Sequence, residues 1–108
     1  MKTSEIFRNK TVLSFEIFPP KPTSDEGVIY KTLDGLTGLK PDFISVTYGA
    51  GGGKNCEKTI QIASDVKNKY GIESVAHLPG INITEDEAIE ILDKINENGI
   101  NNVLALRG

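Results

Sequence analysis

The chain has little of several things on which whole classes of function depend. It contains one cysteine, Cys56, and one histidine, His77. An intramolecular disulfide and a metal centre built from several histidines are therefore excluded within these 108 residues. The net charge is −3 and Lys and Arg are scattered. This balance argues against a general nucleic-acid binder, which would need a basic patch.

Long apolar runs are also missing. The first ten residues are polar and lack the apolar segment of a signal peptide, and no stretch approaches the ~20 apolar residues of a membrane span. These absences predict a cytoplasmic protein. No nucleophile motif surrounds a serine or Cys56, which disfavours a catalytic triad.

What the chain does contain is a unit repeated about every 30 residues, a spacing typical of βα units. Short apolar, β-branched runs predict strands over 11–17, 43–47, 73–77 and 101–106. Helical patterns between them predict helices from about 24 to 40, from 55 to 70 and from about 85 to 98.

The predicted order is (βα)3β, an α/β fold with a parallel sheet and right-handed crossovers. Units of this length fit a (β/α)8 TIM barrel of about 250 residues, of which residues 1–108 would form a single, apparently truncated N-terminal half. The alternative is an open, doubly wound sheet of four strands. Pro19-Pro20 stands where a nucleotide-binding sheet of that kind would have a glycine-rich turn, which disfavours the alternative.

Local signals mark where the helices begin and end. Thr23 with Glu26, and Thr84 with Glu87, fit capping boxes at the starts of the first and third main helices. Gly71 and Gly99 are expected to stop the second and third. Leu33, Leu36 and Leu39 are expected on the apolar stripe of the first, and residues 1–10 form a leader or short helix against the first strand.

Each predicted strand ends on a residue that can take part in chemistry. These residues are Glu16, Thr47 with Tyr48, His77 and Arg107. In parallel βα proteins the C-terminal ends of the strands carry the site. The sequence therefore predicts an enzyme active-site face, of which four strands supply only a part.

The individual residues leave alternatives open. Glu16 stands between Phe15 and Ile17, and an apolar setting would hold its proton more tightly, which suits a general acid. Equally, Glu16 could pair with a cation or be solvated. His77 could be structural or functional, and Arg107 with Gly108 could bind a phosphate or carboxylate, or form a rim salt bridge.

The glycine-rich loop at 49–53 resembles a phosphate cradle but fails both standard patterns by one position. Three residues instead of four separate Gly49 from Gly53-Lys54, and Lys54 stands where a dinucleotide fingerprint needs glycine. The loop is better interpreted as a mobile segment over a site, whose bare backbone a flat cofactor could approach.

Taken together, the strand ends resemble the methylenetetrahydrofolate reductase family, in the family's order and spacing over nearly the whole chain. The residues that carry the resemblance are Ser14-Phe15-Glu16-Ile17-Phe18-Pro19-Pro20-Lys21, Pro41-Asp42-Phe43-Ile44-Ser45-Val46-Thr47-Tyr48-Gly49-Ala50, Ala76-His77-Leu78, Asn98-Gly99-Ile100 and Leu104-Ala105-Leu106-Arg107-Gly108.

The resemblance implies a TIM barrel that binds FAD at its C-terminal face and reduces methylenetetrahydrofolate to methyltetrahydrofolate. Hydride would pass from NAD(P)H to the flavin and then to the folate. Glu16 matches the family's catalytic glutamate, which protonates the bridging nitrogen of the folate. Thr47 matches a position near the nicotinamide and flavin, and the positions that match FAD contacts are Tyr48, Ala50, His77, Arg107 and Gly108.

Departures from the family pattern leave the electron donor open between a reduced nicotinamide and a partner protein. Pro79-Gly80 stands where the family has Thr-Cys, and the loop at 49–53 is richer in glycine than the family pattern. A separate departure is that the family motif continues with an aspartate after the position of Gly108, where the sequence given ends. Strands five to eight are needed for most remaining contacts, so the chain alone is expected to be inactive and to form a homo-oligomer. The alternatives are a non-catalytic half-barrel module that needs a partner chain, and a different barrel that uses Glu16 and His77 on a phosphorylated substrate.

Overall fold

The computed structural model describes residues 1–21, 25–48 and 56–108. Along the described chain the elements are α1 (Thr3–Ile6), β1 (Ser14–Ile17), α2 (Gly27–Thr37), β2 (Phe43–Val46), α3 (Cys56–Asn68), β3 (Glu73–Pro79), α4 (Glu85–Glu97) and β4 (Asn102–Leu106). The strands form one sheet in the order β1-β2-β3-β4, and every neighbouring pair is parallel. The predicted (βα)3β order is confirmed.

The core lies on one face of this sheet. Alternate strand residues on that face pack in a single buried cluster with residues of all three long helices; the strand members are Ile17, Ile44, Val46, Ala76 and Leu78. Sequential strand order with helices on one face is the arrangement of a (β/α)8 barrel, whereas a doubly wound sheet places helices on both faces. The half-barrel prediction is confirmed, and the doubly wound alternative is wrong.

Two strands differ from their predicted bounds by more than one residue. β1 begins at Ser14 rather than at residue 11, because the backbone of Leu13 is bonded to Asp42. The Asp42 N–H donates to the Leu13 carbonyl at 2.7 Å, and the Asp42 carboxylate accepts the Leu13 N–H at 2.9 Å. β3 continues past His77 to Pro79, which pairs with Leu106. Proline is tolerated there because it is the last residue of the strand.

The end signals of α3 and α4 are confirmed. The Thr84 hydroxyl accepts the Glu87 N–H at 3.2 Å, which is one of the two hydrogen bonds of the predicted capping box; the reciprocal bond to the Glu87 carboxylate is not among those of the described residues. Gly71 and Gly99 have φ of +68° and +76°. Positive φ of this size favours glycine, which has no Cβ, and is typical of the residue that follows the end of a helix.

α2 begins at Gly27, later than predicted, and Thr23 of its expected capping box lies outside the described residues. Leu33 is fully buried and Leu36 half-buried, but Leu39 is 61% exposed. The helix ends at Thr37, so Leu39 leaves the apolar stripe, and the prediction for Leu39 was wrong. No described helix is long and apolar enough to cross a membrane.

α1 lies across the N-terminal ends of the strands, which form the floor of the half barrel. The Thr3 N–H donates to the Asn102 side-chain oxygen at 2.9 Å, and the Asn102 amide donates to the Met1 carbonyl at 3.0 Å. The Phe7 and Phe43 rings also meet edge to face, with centroids 6.0 Å apart. The predicted short helix is present, but these contacts tie it to β2 and β4 rather than to the first strand, against which it was expected.

Glu73 anchors the same floor at the start of β3. Its carboxylate accepts hydrogen bonds from the Met1 amino group at 2.9 Å, from Lys67 Nζ at 3.0 Å and from the Asn102 amide at 3.3 Å. Burial opposes ionisation of this carboxyl, but the hydrogen bonds from Met1 and Lys67 outweigh it and lower the pKa of Glu73. The ionised form of Glu73 is therefore the one that stabilises the folded state.

Candidate active site

The sheet face opposite the helices, here called the open face, carries two of the residues predicted to do chemistry, Glu16 and His77. Glu16 is in register with Ser45, and Ser45 with Val75. His77 follows Val75 on the same side of β3 and is in register with Leu104. Because side chains two apart on a strand share a face, β1, β2 and β3 present Glu16, Ser45 and His77 together.

Glu16, Ser45 and His77 form a polar cluster near the C-terminal ends of three adjacent strands. The Ser45 hydroxyl donates to Oε1 of Glu16 at 3.4 Å, and His77 Nε2 lies 3.3 Å from the same oxygen. The His77 contact is close but is not aligned as a hydrogen bond, so Nε2 has no hydrogen-bond partner in the described part of the chain. The cluster joins a carboxyl group, a hydroxyl group and an imidazole, which together can hold and move a proton.

The surroundings of Glu16 differ from the prediction. Phe15 is half-buried and packed against the core cluster, and Ile17 is buried within it, both on the opposite face of the sheet. The side chain of Glu16 is 52% exposed, beside the polar groups of Ser45 and His77. The predicted apolar setting was wrong, because residues adjacent in a strand point to opposite faces.

Thr47 and Tyr48 lie directly after β2. Thr47 is buried, its N–H donates to the Ile17 carbonyl at 3.0 Å, and its carbonyl accepts the Thr59 hydroxyl of α3 at 3.0 Å. Within residues 1–21, 25–48 and 56–108, neither its Oγ1 nor the Tyr48 hydroxyl has a hydrogen-bond partner. Burial, together with the nearby Cys56 thiol, raises the pKa of Tyr48, so its hydroxyl keeps its proton.

Arg107 and Gly108 follow β4 and lie further along the strand direction. Leu104 is the residue in register with His77, and the backbone carbonyl of Leu106 accepts the Gly80 N–H at 2.7 Å. Arg107 is therefore opposite the loop after β3 and is exposed. The structure brings Glu16 and His77 together, but among the residues it describes Arg107 forms no salt bridge with Glu16.

Gly108 makes a close approach to that loop. Its φ is +88°, and a Cβ built there would lie 2.5 Å from Cγ2 of Ile81 and 3.1 Å from Cβ of Pro79. A larger residue at this position would require the Ile81 side chain or the chain after β4 to shift. Ala50, the remaining predicted site residue, lies outside the described residues.

Two residues at the site escaped the sequence reasoning. Ser45 lies in a motif that carries the family resemblance but has no predicted role, and Thr59 is not among the predicted site residues. The signal for Ser45 was available, since it stands two residues before Thr47 and on the same face as Glu16 in a parallel pairing. The exact register could not be obtained from periodicity alone. Across the described segments, no cluster of three or more His, Cys, Asp or Glu side chains could hold a metal ion.

Comparison with known proteins shows which family this chain is similar to. Residues 2–108 match the family described as methylenetetrahydrofolate reductase. The chain is 41% identical over 96 residues to 5,10-methylenetetrahydrofolate reductase of Escherichia coli (strain K12), which covers 89% of this chain and 32% of that protein. It is 38% identical over 101 residues to methylenetetrahydrofolate reductase (NADH) 1 of Arabidopsis thaliana, covering 94% of this chain and 17% of that protein. The chain thus spans a third or less of the length of these two relatives.

Proposed function

Because the chain belongs to the methylenetetrahydrofolate reductase family, we propose that it supplies one half of a flavin-dependent barrel that reduces methylenetetrahydrofolate to methyltetrahydrofolate. The observation that carries the proposal is the cluster of Glu16 with Ser45 and His77 on the open face. An acid is needed on that face, because the folate ring must take up a proton before it can accept hydride.

The polar atoms at the strand ends fit a flavin. Thr47 Oγ1, the Tyr48 hydroxyl and His77 Nε2 are buried, and the described part of the chain offers them no hydrogen-bond partner. A buried polar group without a partner is unfavourable, and a flavin has both donors and acceptors to satisfy such groups. FAD, when bound, would supply hydride to the folate. The residues proposed to hold it are Thr47, Tyr48, Ala50, His77, Arg107 and Gly108.

Glu16 is placed to act as the general acid. Its side chain is half-exposed on the open face, so a folate lying there could reach the carboxyl group without a rearrangement of the sheet. We propose that Glu16 protonates the bridging nitrogen of the folate, which opens the ring to the iminium form. After each turnover, water could return a proton to the carboxylate of Glu16, because about half of this side chain is exposed.

The open face also supports the proposal that this chain needs further strands. Leu104 and Leu106 are 43% and 40% exposed on it, and β1 and β4 are both edge strands of the described sheet. Exposed apolar strands of this kind are normally covered by another element or chain. We propose a cytoplasmic protein that is inactive as a single 108-residue chain and works in a larger assembly, with a reduced nicotinamide or a partner protein as electron donor.

The same exposed surface favours a second candidate, a non-catalytic half-barrel module that binds a partner chain. The reductase and the binding module differ in whether Glu16 has to donate a proton. A reductase loses its chemistry when the proton on Glu16 is removed, whereas a binding module tolerates the substitution.

A chimera separates these functions. The matching 96 residues of the E. coli relative would be replaced by this chain, and folate reduction would be compared between the chimera and its Glu16→Gln variant. Glutamine keeps the shape of the side chain but cannot donate a carboxyl proton. We expect the variant to lose folate reduction by about 10²-fold to 10⁴-fold, the usual contribution of a general acid.

Two controls accompany the chimera. Flavin content, from the visible spectrum, should be the same with and without Glu16→Gln, which shows that only the proton step has changed. The 108-residue chain alone should show no folate reduction. A chimera that binds flavin but is equally active with glutamine at position 16 would contradict the proposed acid and favour the binding module.

A further inference from the structure

Thr59, in the first turn of α3, makes a hydrogen bond outside its own helix. Threonine hydroxyls within helices often donate to a carbonyl three or four residues earlier. Thr32 of α2 does so, at 3.0 Å from the Val28 carbonyl. The Thr59 hydroxyl instead donates to the Thr47 carbonyl at 3.0 Å. This bond connects α3 to the chain at the end of β2.

The bond between Thr59 and Thr47 is buried at both ends. Thr59 is 1% exposed and Thr47 is 8% exposed. The pairing of β2 with β1 and with β3 ends at Val46, so the Thr47 carbonyl lies beyond the last paired residue of the strand. A buried carbonyl at that point needs a donor from another element, because leaving it without one is unfavourable. Thr59 supplies that donor.

This hydrogen bond also sets the orientation of one peptide group. A peptide group is planar, so the Thr47 carbonyl and the Tyr48 N–H turn together. On the other side of the residue, the Thr47 N–H donates to the Ile17 carbonyl at 3.0 Å. Thr47 is thus held from β1 through its N–H and from α3 through its carbonyl, which restricts rotation of its backbone.

The two residues joined by that peptide group both carry unpartnered polar atoms. Thr47 Oγ1 and the Tyr48 hydroxyl are buried, and neither has a hydrogen-bond partner within the described segments. Rotation of the peptide plane between them would move both side chains. A ligand that bonds to both groups binds best when the groups are already in place.

We propose that Thr59 is a positioning residue, whose hydroxyl fixes the backbone of Thr47 and Tyr48 so that both side chains are preorganised for the flavin. Thr59 acts through Thr47 and is not itself proposed to contact the flavin. The consequence for flavin binding rests on the proposed function. The hydrogen bond between α3 and the end of β2 is a property of this chain and can be measured without flavin or folate.

The first experiment uses the 108-residue chain labelled with ¹³C and ¹⁵N. Thr59→Val keeps the shape of the side chain but removes the hydroxyl. We expect this variant to move the carbonyl ¹³C signal of Thr47 and to speed hydrogen exchange of the Thr47 N–H by about tenfold, because the strand end opens more readily. Thr59→Ser restores the donor and should return both values to those of wild type.

Three further variants separate positioning from helix stability. Val66→Ala removes core volume from α3 about two turns further along, so it should destabilise the fold without moving the Thr47 carbonyl signal. Thr32→Val is the matched control, because it removes a hydroxyl that donates within its own helix. Thr59→Ala replaces Thr59→Val if the latter does not fold, since alanine favours a helix. A Thr47 signal unchanged by loss of the Thr59 hydroxyl, or moved equally by Val66→Ala, would overturn the proposal.

Flavin binding by the chimera, followed by flavin fluorescence, tests the consequence. Thr59→Val should weaken FAD binding by about tenfold, because Thr47 and Tyr48 must then be ordered when the flavin binds. Folate reduction at saturating FAD should stay within about twofold of wild type, since Glu16 lies on β1 and keeps its place. Thr59→Ser should bind FAD as wild type does, and Val66→Ala nearly so.

The results for FAD affinity separate the role of Thr59 from the proposed function. Unchanged affinity in Thr59→Val, or an equal loss in Val66→Ala, would overturn the positioning role. A wild-type chimera that binds no FAD would count against the proposed function, whereas the Thr47 carbonyl signal decides independently whether Thr59 fixes the end of β2.

Discussion

At the scale of single residues, Glu73 gives the clearest link between charge and stability. Its folded pKa is lowered from 4.5, so its contribution is present above that value and is lost as the pH falls through the folded pKa. Glu73→Gln should therefore reduce the free energy of unfolding by about 1–2 kcal/mol near neutral pH. The difference from wild type should disappear in acid.

Urea unfolding at neutral pH and in acid would measure this difference. Glu57→Gln is the matched control, since Glu57 is 82% exposed on α3 and lies 4.0 Å from Lys94. Exposed pairs of this kind contribute little, so the control should leave the unfolding curve nearly unchanged at both pH values. A Glu73 effect of equal size in acid would mean that the lost interaction is not that of a carboxylate.

Some residues of the candidate site could be predicted from the sequence, and others could not. Glu16 and His77 could be predicted because each closes an apolar run, and parallel strands bring such ends together. Ser45 could not be singled out without the register, which depends on packing between strands. The surroundings of Glu16 were mispredicted for a related reason: its sequence neighbours Phe15 and Ile17 pack on the other face.

At the scale of whole elements, α4 is stabilised by a side-chain cap in addition to its buried surface. Its buried residues are Ile91 and Ile95, and the Thr84 hydroxyl accepts the Glu87 N–H at its start. Thr84→Ala should lower the free energy of unfolding by about 1 kcal/mol, the usual cost of losing a cap. Thr84→Ser retains the hydroxyl and should lower it much less. Thermal unfolding of the two variants provides the comparison, and equal effects would rule out the cap as the cause.

Helix ends were predictable where one residue type enforces them and not where tertiary packing decides. Gly71 and Gly99 have the positive φ that their positions require, and sequence alone indicates such stops. α2 has no comparable stop at Thr37, and three leucines at near-helical spacing extended the predicted stripe to Leu39, which is exposed. Apolar spacing shows that a helix exists more reliably than it shows where the helix ends.

At the scale of the whole molecule, the half barrel has one packed face and one open face. Four strands with helices on one side were predictable from the repeat of about 30 residues, because that repeat is a property of the βα unit. What covers the open face could not be predicted, because the residue pattern of these four strands carries no information on how further strands would pair with them. The sheet order and the single buried cluster show that the described half can form its own core.

The open face should therefore make the isolated chain associate. Leu104 and Leu106 are 43% and 40% exposed there, whereas Val103, on the helix side of β4, is 37% exposed. Replacing Leu104 and Leu106 by serine should shift the mass measured by light scattering toward that of a single chain, because apolar area on the open face drives the contact. Val103→Ser removes a similar exposed side chain from the other face and should have a smaller effect. If Val103→Ser were the more effective, the contact would be formed on the helix side of the sheet, and the open face would not be the surface that another half barrel covers.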